Sequence, residues 1–142
     1  MMKRGPKLFQ LNEILFEAVS IGDHRTVREL LSSGLSFLYK MHYINVRNGE
    51  GDTLLTLAAR KGNSDIAEIL ISSKAKLNKR DLSGNTPLHI AIENSDLVLA
   101  ELLVSNGASV NISTSDARTP LWLAVTSCQS KMIKLLRDNG AL

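Results

Sequence analysis

The stretch Asp81-Leu-Ser-Gly-Asn-Thr-Pro-Leu-His-Ile-Ala-Ile-Glu-Asn-Ser95 decides the fold. Its Asp-x-x-Gly opening reads as a tight turn, in which Gly84 supplies the positive φ that residues with a Cβ avoid. Thr86 then caps a helix, and Pro87 stands at the first helical position, where no backbone donor is lost. Leu88, Ala91 and Ile92 fall at i, i+3 and i+4, which is one helical face. A turn around Asn94 and Ser95 leads into a second helix. There Leu99, Leu102 and Leu103 repeat the spacing, and Gly107 ends the helix in a left-handed cap. The pattern predicts turn, helix, short turn, helix, loop.

This unit recurs. Asn45, Asn78 and Asn111 are 33 residues apart, as are Thr53, Thr86 and Thr119, and Leu55, Leu88 and Leu121. Ala58, Ala91 and Ala124 keep the same step, and so do Leu70, Leu103 and Leu136. Such a helix pair cannot bury its apolar face alone, so successive units must stack. The alanine column marks where helices of neighbouring units approach closely.

The segments Thr86-Pro-Leu-His-Ile-Ala91 and Leu102-Leu-Val-Ser-Asn-Gly-Ala-Ser-Val-Asn111 resemble the ankyrin repeat. Thr53-Leu-Leu-Thr-Leu-Ala58 and Thr119-Pro-Leu-Trp-Leu-Ala124 are looser versions, and Leu15-Phe-Glu-Ala-Val-Ser-Ile-Gly-Asp23 is similar to an N-terminal capping repeat. The resemblance divides the chain into a basic flexible tail, 1–11, and a repeat domain, 12–142. The domain's units are 12–44 with an inserted loop at 35–44, then 45–77, 78–110 and 111–142. It implies a mainly α solenoid of helix-turn-helix units joined by β-turn or hairpin loops. It also implies a non-catalytic module that binds a protein partner on the concave surface of the turn tips and first helices. On that surface the resemblance places Gly49, Glu50, Asp52, Arg60 and Lys61, then Leu82, Ser83, Asn85, Glu93 and Asn94, then Ser115, Asp116, Arg118, Thr126 and Ser127. The alternative is a targeting or regulatory region of a longer protein, such as a ubiquitin-ligase adaptor, kinase or channel.

Departures from the pattern carry their own expectations. Gly34 to Asn45 spans seven residues more than Gly107 to Asn111, and the extra segment holds Phe37, Tyr39 and Tyr43, three of the six aromatics. Either Phe37 and Leu38 fold back to lengthen the N-terminal cap, or Tyr39 and Tyr43 anchor a partner, as large rings do at interface centres. Lys74 replaces the helix-ending glycine of unit two, Ala117 the turn glycine of unit four, and Ser95 and Cys128 the glycine between helices. Each non-glycine at a left-handed position costs on the order of 1 kcal/mol. Trp122 stands where Thr56 and His89 stand in earlier units, and it either contacts a partner or caps the end. In the last helix Ser130, Lys131, Lys134 and Arg137 are polar, yet Met132 and Ile133 remain. The end is therefore expected to be imperfectly closed, by a continuation beyond Leu142 or by a docked partner.

No catalytic constellation is evident. His89 has a structural role in the repeat, stabilising the turn and helix start; His24 begins a helix and His42 lies in the insertion. No histidine spacing resembles a zinc pair, and no glycine-rich phosphate loop is present, so neither metal nor cofactor is expected. Cys128 reads as a small residue in a tight turn. The cluster Lys74, Lys76, Lys79 and Arg80 reads as a solvated loop, with contact to an acidic partner or phosphate as the alternative.

The formal charge of +3 comes from Lys3, Arg4 and Lys7; subtracting these from 17 leaves 14 basic against 14 acidic residues. A neutral fold lacks the basic stripe of a nucleic-acid binder. No run approaches the ~18 apolar residues of a membrane span, and the first residues lack the apolar stretch of a signal peptide. One cysteine makes no internal disulfide, which favours an intracellular placement, cytoplasmic or nuclear. A monomer is expected.

Overall fold

A computed structural model describes residues 8–33 and 37–142. Among them lie α1 (Leu8–Ile21), α2 (His24–Ser32), α3 (Phe37–Tyr43), α4 (Leu54–Arg60), α5 (Ser64–Ser72), α6 (Pro87–Glu93), α7 (Leu97–Ser105), α8 (Pro120–Thr126) and α9 (Ser130–Asp138). The helices form two rows. First helices pack in the order α1, α4, α6, α8, and second helices in the order α2, α5, α7, α9. The core lies between the rows. Leu55, Leu88, Leu70, Leu103 and Leu136 are buried, as are all three alanines of the 58, 91, 124 column. Full burial of each leucine contributes about 2 kcal/mol before entropy is counted.

The repeat is also a hydrogen-bond pattern. After each first helix, the N–H groups of Asp23, Asn63, Asp96 and Gln129 reach back to the carbonyls of Ala18, Ala58, Ala91 and Ala124 at 2.8–3.0 Å. After the second helices, Ala75, Ala108 and Ala141 bond the carbonyls of Leu70, Leu103 and Leu136 in the same way. Both closures need a left-handed residue. Gly22, Gly62, Gly107 and Gly140 supply it, and so, as expected, do Ser95 (φ 55°), Cys128 (φ 55°) and Lys74 (φ 71°). At the turns Gly51 and Gly84 share the left-handed conformation with Ala117 (φ 61°). The asparagine column has a purpose the sequence did not disclose. Asn45, Asn78 and Asn111 each accept the backbone N–H of a loop residue (Lys76, Ser109 and Leu142) at 2.8, 2.9 and 3.0 Å, pinning the loop that follows each second helix.

Two boundaries differ from the sequence reading. The first helix begins at Leu8 and not at Asn12, and Leu11 is part of the core, so the expected tail contributes to packing. The expected loop 35–44 contains the short helix α3 over Phe37–Tyr43. This stretch has neither glycine nor proline, and it ends on the buried pair Tyr43 and Ile44. Residues 1–7 and 34–36, including Lys3, Arg4 and Lys7, lie outside the described residues.

Candidate partner-binding surface

The first helix of each unit is aimed by its threonine cap. Thr53 and Thr119 accept the N–H groups of Thr56 and Trp122, each at 3.2 Å. In unit three the cap is reciprocal. The Thr86 N–H donates to His89 Nδ1 at 3.2 Å, and the Thr86 hydroxyl lies 2.8 Å from the same nitrogen. With Nδ1 accepting, the proton sits on Nε2, which donates to the carbonyl of Arg118 in unit four at 3.3 Å. Burial holds the imidazole pKa below its usual value and keeps the ring neutral. His89 is thus a structural tie between two units.

The turn tips stack beside this row. The Ser115 N–H donates to the Ser83 carbonyl across the unit boundary at 3.2 Å. Between the tip of unit two, α1 and α4 runs an open groove of about 500 Å³, lined by Phe16, Glu17, Ser20, Asn48, Gly49, Glu50, Leu57, Arg60 and Lys61. Glu50, Arg60 and Lys61, which the sequence reading puts on one surface, line this groove together. Phe16 and Glu17 join them from the first unit, a contribution that reading missed.

Arg60 is not a free surface cation. Its Nη2 bonds Asp52 Oδ1 at 2.9 Å and Asp81 Oδ2 at 3.0 Å, and its Nε reaches Asp52 Oδ2 at 3.3 Å. Both carboxylates are almost wholly covered. Burial pushes the Asp81 carboxyl up, but the Asn85 N–H and the guanidinium outweigh it and hold its pKa below the usual range. The Asp52 hydrogen bond, followed by that of Asp81, raises the pKa of Arg60 despite its partial burial.

Three residues assigned to the surface by sequence are buried. Asp52 is consumed by Arg60, and Asn85 closes its own turn onto Asp81. Tyr43, 4% exposed, belongs to the core, which removes it as an exposed anchor. The side chain of Tyr39 lies outside the described residues. Lys61, Leu82, Ser83, Glu93, Asn94, Ser115 and Asp116 are exposed, as are Thr126 and Ser127. Arg118 is partly covered and reaches Asp116 at 3.4 Å. Trp122 is half exposed, at 50%.

Among the described residues no three His, Cys, Asp or Glu side chains converge as a metal site requires. None of the described helices is long and apolar enough to cross a membrane. Cys128 is exposed and makes no disulfide. No curated protein matches the chain. The family model for ankyrin repeats, which spans three copies, matches residues 15–114 and again 76–142. With the 33-residue step, the paired helix rows and the left-handed closures already in place, this match settles the family: the chain belongs to the ankyrin-repeat proteins.

Proposed function

We propose that the chain is a non-catalytic interaction module that holds a protein partner across the concave surface of its turn tips and first helices. One observation carries this reading. Exposed columns change chemistry from unit to unit over an unchanging buried frame. Arg60, Glu93 and Thr126 occupy one column, Lys61, Asn94 and Ser127 the next, while Ala58, Ala91 and Ala124 lie wholly buried beneath them. A rigid frame with a variable, shallow, polar surface suits a protein or peptide better than a buried small molecule. The contact residues are Glu50, Arg60, Lys61, Leu82, Ser83, Glu93, Asn94, Ser115, Asp116 and Arg118, and nothing in the reading requires nucleic acid, membrane insertion or a cofactor.

The module acts as a monomer inside the cell, in cytoplasm or nucleus, where an exposed single thiol stays reduced. The same surface would serve as the targeting region of a longer protein. The test is affinity capture with the intact chain, mass spectrometric identification of the partner, and titration of that partner against Lys61→Glu and Glu93→Lys. Charge reversal at these exposed positions should weaken binding at least several-fold while the melting temperature stays unchanged. Undiminished binding by both variants would remove the concave surface from the interface.

A further inference from the structure

The end of the stack carries a second surface. In units two and three the first-helix column of Thr56 and His89 is wholly buried, and in unit four its member Trp122 is 50% exposed. The next apolar column behaves alike: Ala59 and Ile92 are at 0% and Val125 at 47%. On the second helices Ala67 and Ala100 are wholly buried, while Ile133 is partly uncovered. Ile71 and Val104 are buried, and their column ends in the exposed Arg137. Within the array, each first helix packs against the next first helix and each second helix against the next second helix. Unit four therefore presents a helix-receiving face, continuous with three established interfaces. It is apolar at its centre and carries a cation at its rim.

We propose that this face docks an amphipathic helix of a partner protein whose apolar stripe is bordered by carboxylates. The helix is specified by what the equivalent faces already hold. The carboxylates are specified by charge. Arg137 makes no ion pair among the described residues, and Arg118, on the turn side of the same face, has only a 3.4 Å contact with the exposed Asp116. The turn contact that joins the earlier units is altered at Ala117. A Cβ placed on Gly84 would lie 2.6 Å from the backbone nitrogen of Ser115 in the next turn, and one on Gly51 would overlap Leu82. Ala117, third in that column, carries the Cβ. A second copy docking by a two-fold contact would bring the same cationic rim against itself, which opposes association.

Trp122 is the only tryptophan in the chain, so its emission reports this face directly. The intact chain is titrated with two synthetic helical peptides sharing one leucine stripe, flanked by Glu in one and by Lys in the other. The Glu peptide should give a saturable blue shift with a Kd about tenfold below that of the Lys peptide. Arg137→Glu should reverse the ranking, and Arg137→Gln, a milder change, should remove most of the preference. Lys61→Glu, which alters the concave surface only, should change neither Kd, so failure here is distinct from failure of the concave-surface reading. No saturable shift with the Glu peptide, or equal Kd values for the two peptides, overturns the proposal. So does a blue shift that grows with protein concentration alone alongside a sedimenting dimer, which would assign the face to a second copy.

Discussion

Gly84 and the backbone of Ser115, 31 residues later, are in contact so close that no side chain fits between them: a Cβ on Gly84 would stand 2.6 Å from the Ser115 nitrogen. Gly107 is left-handed as well, at φ 95°, but open space surrounds it. The two glycines separate strain from space. Gly107→Ala should cost about 1 kcal/mol, the conformational penalty alone. Gly84→Ala should cost about 3 kcal/mol, because the turn of unit four must also move. Urea denaturation of both variants measures the difference, and equal losses would mean that the turns do not stack as described.

Lys74 is the reverse case. It holds φ 71° and closes α5 with the same hydrogen bonds that Gly107 and Gly140 make after α7 and α9. Lys74→Gly should gain about 1 kcal/mol and raise the melting temperature by a few degrees. A fall would show that the lysine side chain contributes more than its backbone strain costs.

His89 makes stability depend on pH. Its folded pKa is depressed, so between that value and the unfolded one, about 6.5, the unfolded chain binds more protons than the native one. The full contribution is present above pH 6.5 and is lost as pH falls toward the folded value. Denaturation midpoints should therefore decline from pH 7.5 to pH 5.5, and His89→Gln should show a flatter profile over the same window. An equally steep variant would assign the titration to other groups.

The bridge from Arg60 to Asp52 and Asp81 joins units two and three. Arg60→Ala leaves two covered carboxylates without their counter-charge and should cost about 2 kcal/mol, reduced from a fully buried pair because Arg60 is itself partly exposed. Asp81 has a depressed pKa, so its stabilising effect is present above its unfolded value, about 3.8, and is lost as pH falls through the folded one. The gap between wild type and Arg60→Ala should accordingly narrow in acid. A gap that is constant from pH 7 to pH 3 would point to lost packing of the arginine stem.

The 33-residue step was legible because each column has a local cause: a threonine caps, an alanine admits a close helix, a left-handed residue closes a turn. Position within the unit alone identified Lys74, Ser95, Ala117 and Cys128 as left-handed, and all four are. Asp52 and Asn85 read as exposed because turn residues are ordinarily solvated, and the bonds that cover them, from Arg60 to Asp52 and from Asn85 to Asp81, leave no periodic signal. Tyr43 reads as an anchor in the sequence because a tyrosine in an insertion has no periodic neighbours to declare it buried. The groove partners Phe16 and Glu17 stayed hidden for the opposite reason. The seven-residue insertion shifts unit one out of step, so their columns align only at a spacing of 40.

Among the described residues, the four left-handed ones with side chains are not evenly supported. Lys74 and Ser95 sit in units flanked on both sides, whereas Ala117 and Cys128 both belong to unit four, which the described chain flanks on one side only. In a stack whose cohesion is a sum of neighbour terms, unit four combines two strained closures where units two and three carry one each. Opening of the protein is therefore directional. Unit four should detach as a block before the others, so amide protons of α8 and α9 exchange ahead of those of α4 and α6, and whatever covers Trp122 would act as the clasp on the whole array.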